Sequence, residues 1–243
     1  MKKKILSFLG ILAVVVLLTG CGKDLITQVN ENMSDVTNGI IEMKMNMKFD
    51  AEGLSLEIPF DISAKVFGDK TYMTMKMSFM GETMTTEMYG LISGNKETLY
   101  TKDSESNKWV KTEETVDEVS GAFEEELFNI VSNASDVKEL TDESKGDVKV
   151  YEATFTKAEL EKILTELLTD DTFEFDIKNN STIKFSVNTK TKLLETLSLN
   201  FEDALVMNAE GIEFRGGFTL DITFKELNKV ADFDIPKEVL DTK

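Results

Sequence analysis

Apolar residues recur along this chain at two spacings. Between Lys23 and Asn38 they stand three and four apart, at Leu25, Ile26, Val29, Met33 and Val36, which predicts an amphipathic helix stopped by Asn38-Gly39. From Ile41 the period falls to two. Ile41, Met43, Met45, Met47 and Phe49 alternate with polar residues, and after a turn at 50–53 so do Leu54, Leu56, Ile58, Phe60, Ile62, Ala64 and Val66. Such alternation predicts strands with one buried face. Pro59 cannot donate to a ladder, so an edge position or a bulge is expected there. Turns at Gly68-Asp69 and Gly81 frame Met73, Met75, Met77 and Phe79 and then a strand over 83–92. A further hairpin is expected from 98–101 and 108–112.

Two helices interrupt the strands. Thr115-Val116-Asp117-Glu118 and Thr156-Lys157-Ala158-Glu159 are capping boxes, in which hydroxyl and carboxylate satisfy the first free amides of a helix. The first predicts a helix to about Asn133 with Val119, Phe123, Leu127, Ile130 and Val131 inward. The second opens a Leu-rich helix with Leu160, Ile163, Leu164, Leu167 and Leu168 inward. Val148 to Phe155 reads as a strand. Period two then returns through Ile183, Phe185 and Val187, through Leu193, Glu195, Leu197, Leu199 and Phe201, and through Ile212, Phe214, Phe218, Leu220, Ile222 and Phe224. Gly216-Gly217 permits a sharp bend in that last strand. Short polar turns between one-sided strands predict antiparallel sheet and an α+β class.

The start of the chain follows other rules. Three lysines precede an apolar run from Ile5 to Leu18, too short to span a bilayer as a helix, and small residues follow. Leu18-Thr19-Gly20-Cys21 resembles the lipobox, in which the thiol is diacylglycerated and the chain is cut before it. Residues 1–20 are therefore expected to be a signal peptide, and 21–243 one domain held at Cys21 on the extracytoplasmic face of a membrane. Loss of three lysines takes the net charge from −18 to −21. So acidic a body repels phosphates, which disfavours nucleic acid and anionic lipid headgroups as partners for its surface. The 243 residues contain no histidine and no cysteine besides Cys21. That excludes His-dependent triads, Cys–His dyads, His/Cys zinc sites and disulfides. No enzymatic activity and no cofactor are expected. Arg215 is the single arginine; a lysine-rich bias of this kind hints at a low-GC Gram-positive source.

Several segments together resemble a known group. They are the Met-x-Met-x-Met-x-Phe strands, Leu99-Tyr100-Thr101-Lys102 before Lys108-Trp109-Val110-Lys111, and Tyr151-Glu152-Ala153-Thr154-Phe155-Thr156 running into a helix. Phe185-Ser186-Val187-Asn188-Thr189-Lys190-Thr191-Lys192 and the closing Phe233-Asp234-Ile235-Pro236 complete the set. The pattern resembles uncharacterised Gram-positive lipoproteins, and its order of elements is similar to the lipoprotein-carrier superfamily of the Lol carriers and mycobacterial lipid-carrier lipoproteins. The resemblance implies a large curved antiparallel sheet, a half-barrel, with two or three helices on its concave side and acyl chains in the cavity. It implies no catalytic residue.

The methionines are the sharpest internal signal. Residues 43–49 and 73–79 share one pattern, and alternation puts Met43, Met45 and Met47, and likewise Met73, Met75 and Met77, on one face of their strands. Ordinary core filling is the first explanation, since methionine adapts to irregular gaps; a pliable surface that moulds around an amphiphile is the second. Copper(I) held by thioethers is a distant third, with no His or free Cys to complete the site. Asp103, Glu105, Asn107 and Glu114 fall at EF-hand spacing, but Lys108 stands where the loop needs glycine, so a solvated hairpin and no metal is expected. The lining expected for a hydrophobic or amphiphilic ligand is Met43, Met45, Met47, Met73, Met75, Met77, Phe214, Phe218, Leu220 and Ile222. The alternative is a non-catalytic scaffold lipoprotein whose interior is filled by these same side chains.

Overall fold

The computed structural model describes residues 22–51, 54–79, 81–104, 106–115, 136–161, 174–175, 177–209 and 212–242. Cys21 and the signal segment, most of the helix expected from Thr115, and the Leu-rich helix beyond residue 161 lie outside them. The described chain is mostly sheet. Helix α1 (Gly22–Ser34) leads into β1 (Asn38–Ala51), β2 (Leu54–Phe67), β3 (Lys70–Phe79), β4 (Glu82–Ser93), β5 (Lys96–Lys102) and β6 (Trp109–Thr115). Next come β7 (Asp136–Glu139), β8 (Val148–Phe155) and helix α2, described over 157–161. The chain closes with β9 (Glu174–Phe175), β10 (Ser181–Asn188), β11 (Leu193–Ala209), β12 (Ile212–Lys225) and α3 (Lys237–Leu240).

All pairings are antiparallel, in the order β6-β5-β4-β3-β2-β1-β12-β11-β10-β8-β7, with β9 paired off this path to β11. The sheet is open, ending at β6 and β7. Strands β1 to β6 follow one another as paired neighbours, as do β7 with β8 and β10 to β12, and the pairing of β12 with β1 joins the two halves into one sheet. Pairing puts residues on one face into rows. Met43 stands between Ile222 and Ile62, and Met45 between Leu220 and Phe60. The same face carries Leu197, Leu199 and Phe201 of β11 and Ile183 and Phe185 of β10, and this core face holds the main buried cluster. Val29 and Met33 of α1 are buried in that cluster, with α1 lying against β11.

Several local details depart from the expected pattern. α1 ends at Ser34, and Asn38-Gly39 already belong to β1. The segment after β12 captures this stretch: Asn228 N–H donates to the Asn38 carbonyl (2.8 Å), Val230 N–H to Asn38 Oδ1 (2.8 Å) and Thr37 N–H to Asn228 Oδ1 (3.0 Å). Pro59 sits in an interior strand without a bulge toward β1, yet the β2–β3 ladder ends one residue away at Phe60–Met77, so the proline faces a local edge. In β11 a register shift opposite Ser186/Val187 buries Leu194 in place of Leu193 and Glu195. A bulge of one residue reverses which side chains face the core, which sequence alternation alone does not reveal.

Gly216 faces Phe49 across the β1–β12 pair, and a Cβ there would lie 1.7 Å from the Lys48 carbonyl oxygen. Only glycine lets the two backbones meet so closely. The capping box at Thr156 is formed: Thr156 N–H (2.6 Å) and Oγ1–H (2.8 Å) both donate to the Glu159 carboxylate.

Candidate functional site

The ten residues expected to line a ligand surface all lie on the core face, but burial divides them. Met43, Met45, Met73, Phe218, Leu220 and Ile222 are buried in the main cluster. Met47, Met75, Met77 and Phe214 are half-buried. Along β3 the core-face side chains open steadily, from Met73 (4 % exposed) through Met75 and Met77 to Phe79 (37 %). On β4, Met84 pairs with Met77 and is 43 % exposed; on β6, Val110 stands in the row of Met88 and Thr101 and is 52 % exposed. Among the described residues, three of the four large exposed apolar side chains thus share the core face on β3, β4 and β6. Half-buried Leu56, Ile58 and Phe60 of β2 join them. Phe79, Met84 and these β2 residues lie in adjoining rows around Met77 and form an open apolar corner beside the core, while Val110 stands two strands beyond β4, at the β6 edge.

The two methionine triplets are not on neighbouring strands. β2 lies between them and inserts Ile62 between Met43 and Met75, and Phe60 between Met45 and Met77. Strands two apart are separated by about 9.5 Å, too far for thioethers at matching positions to share one copper ion. The EF-hand spacing is likewise dispersed. Asp103 Oδ1 accepts from Ser106 N–H (2.7 Å) and Ser106 Oγ–H (2.5 Å), which closes the hairpin turn, while Glu114 pairs with Glu97 at the other end of β6. Glu105 lies outside the described residues.

Leu56, Ile58, Phe60, Phe79 and Met84 of the corner, and Val110 beyond it, are residues that the sequence reading left out of the lining. Alternation marks the β2 residues as apolar-facing, but nothing local says that they stay only half-buried. A second small cluster lies on the opposite face, where Ile235 and Val239 of the C-terminal segment bury Tyr100 and pack on Tyr89, Leu91 and Trp109. The rings of Tyr72 and Tyr89 are 4.8 Å apart and those of Tyr89 and Trp109 5.5 Å. Burial, with the Glu87 carboxylate beside it, raises the Tyr72 hydroxyl pKa; burial does the same for Tyr89. This segment is fastened by Lys70, whose ammonium donates to the Asp232 carboxylate and to the Phe233 carbonyl (2.9 Å), and Lys65 sits 4.8 Å above the Phe233 ring. The hydrogen bond raises the Lys70 pKa and lowers that of Asp232.

Among the described residues no helix is long and apolar enough to cross a membrane. No group of three or more His, Cys, Asp or Glu side chains there is placed to hold a metal ion.

A family of unknown function, DUF6612, matches residues 22–243. The chain belongs to that family. The match begins one residue after Cys21 and takes in every strand described above, so the whole sheet is the family's unit. No curated protein matches the chain. Among solved structures, a DUF1329 family protein from Desulfovibrio piger aligns at 11 % identity and TM-score 0.27, over 86 % of this chain and 92 % of that one. A putative outer membrane lipoprotein-sorting protein domain from Vibrio parahaemolyticus aligns at 9 % identity and TM-score 0.28, over 88 % and 95 %. At these scores neither likeness establishes a shared fold.

Proposed function

We propose that this DUF6612 protein is a lipid-anchored, non-enzymatic protein of the cell envelope that binds a hydrophobic or amphiphilic ligand on the open part of its core face. In this reading Cys21 carries the diacylglyceryl group, and the sheet curves as a half-barrel like that of the lipoprotein-carrier superfamily. The observation that supports ligand binding is the continuity of the apolar face from the closed core into half-buried Met47, Met75, Met77 and Phe214. Thioethers on unbranched chains adapt to varied partners, so such a surface suits ligands defined by apolar area more than by polar detail. Its grip would be about 25 cal/mol per Å² of apolar surface removed from water.

The test is uptake of a fluorescent fatty acid by residues 21–243 in solution, with mass spectrometry of organic extracts to name any ligand carried through purification. The expected result is saturable uptake by the natural sequence, lost in Met77→Glu while the fold persists. A natural sequence that takes up no amphiphile ends the ligand reading. The anchor is tested separately: membrane-bound protein should yield a Cys21 peptide carrying acyl mass, and Cys21→Ala should accumulate as precursor or be shed. Two acyl chains hold durably where one is marginal, at about 0.8 kcal/mol per buried methylene. A scaffold reading has one observation in its favour, since six of the ten lining residues already fill the core.

A further inference from the structure

The open corner and α1 lie on the same side of the sheet, and this has a consequence for how the anchored protein sits. α1 begins at Gly22, the residue after Cys21, so no spacer separates a lipidated Cys21 from the fold. One peptide unit spans about 3.8 Å, against a radius of gyration of about 17 Å for a domain of this size. The body can therefore only pivot about the N-terminus of α1. Val29 and Met33 bury that helix in the core-face cluster, so the tether leaves from the core-face side. The opposite face at β12, β1 and β2 carries exposed Lys44, Asp61 and Asp221 and the ion pairs Lys225–Glu42 (2.6 Å) and Lys48–Glu57 (3.7 Å). Pressing those charges into a headgroup layer would cost desolvation, against which that side sets, among the described residues, only Leu240 of α3 as a large exposed apolar side chain. The core-face side instead offers exposed Phe79, Met84 and Val110.

We infer that the partner of this corner is the bilayer that holds the anchor, with Phe79, Met84 and Val110 resting in its headgroup–acyl boundary. This rests on the lipidation of Cys21 proposed above. It makes the corner a point of contact with lipid, so that a ligand would pass between membrane and core face without crossing bulk water. The acidic body works against the contact on anionic membranes. Docking there should tighten as salt rises, the reverse of a basic membrane binder.

Residues 21–243 carry one thiol, which allows the anchor to be supplied by hand. The chain would carry Trp109→Phe and a single new tryptophan, either Met84→Trp on the corner or Lys44→Trp on the charged face; both positions are exposed, and circular dichroism would check the fold. Each variant would be coupled through Cys21 to a maleimide lipid in phosphatidylcholine vesicles with brominated acyl chains. The expected result is a blue-shifted Met84→Trp emission quenched at least several-fold more than that of Lys44→Trp. The difference should vanish when Phe79→Glu and Val110→Glu are added. Equal quenching of the two reporters, or none of either, overturns the orientation. Chemical coupling keeps this outcome independent of whether the cell acylates Cys21, and fatty-acid uptake by the uncoupled chain reports separately on ligand binding.

Discussion

Residues 43–49 and 73–79 carry the same Met-x-Met-x-Met-x-Phe pattern and end in different surroundings. In β1 the motif lies at the centre of the sheet, between β2 and β12, and its Phe49 is 1 % exposed against Gly216 and Leu56. In β3 the motif starts equally buried at Met73 and ends with Phe79, which is 37 % exposed. The β2–β3 ladder stops at Met77, opposite the residue after Pro59, so Phe79 has no partner on the β2 side. Phe49 has partners on both. One heptapeptide pattern therefore yields core in one place and accessible apolar surface in the other. Burial here is a property of the strand's neighbours, and the difference leaves β3, not β1, with a large exposed apolar side chain.

A buried charge gives the largest expected separation between the two motifs. Met45→Glu should leave the chain unfolded near neutral pH, because its carboxylate would sit unpaired between Leu220 and Phe60. Met77→Glu should fold, with a loss of about 1 kcal/mol and its charge turned to solvent. Circular dichroism of the pair decides it, and equal unfolding would show that β3 is closed as well. Next in size are the supports of Phe49. Gly216→Ala must push the Lys48 backbone away and should cost about 3 kcal/mol or more. Phe49→Ala should cost about 3–5 kcal/mol by the cavity it leaves. At roughly 2–4 °C per kcal/mol for a domain of this size, either lowers the melting temperature by about 10 °C.

Phe79→Ala should cost about 1 kcal/mol, well below Phe49→Ala because part of its ring is already in solvent, while weakening contact with vesicles. Matching losses in Phe49→Ala and Phe79→Ala would erase the distinction. The smallest effect concerns the strap that backs the open half. Lys70 holds the Asp232 carboxylate below its ordinary value of 3.8. A group with a depressed folded pKa stabilises above its unfolded pKa and loses that contribution as pH falls through the folded one. Asp232→Asn should thus melt slightly below the natural sequence at pH 7, with the gap closing below about pH 4. A gap constant from pH 7 to pH 2 would show that the ion pair does nothing for β3.

Much of the fold is legible in the sequence because it depends on nearest neighbours along the chain. Val148–Phe155 forms its strand with the expected ends, and Thr156 and Glu159 close the expected capping box, since alternation and a three-residue offset are complete signals in themselves. β7 escapes such reading, because Val137 is the only apolar residue in its four and pairing with β8 is what extends it. The pairing of β12 with β1 is equally invisible, although it builds the centre of the core. Met84 and Val110 read as ordinary strand residues until the register sets them in the rows of Met77 and Met88.

By itself the sequence determined the strand periodicity, the single apolar face that each strand offers, the acidity, the absence of histidine, and the thiol directly before α1. These are local or compositional properties, decided by side-chain alternation and by counting. Only the tertiary structure decided strand order, the insertion of β2 between the methionine triplets, the bulge that exchanges Leu193 for Leu194, and the exposure of Phe79 beside the burial of Phe49. Each depends on which strand lies alongside, and a side chain is covered only when segments distant in sequence arrive next to it.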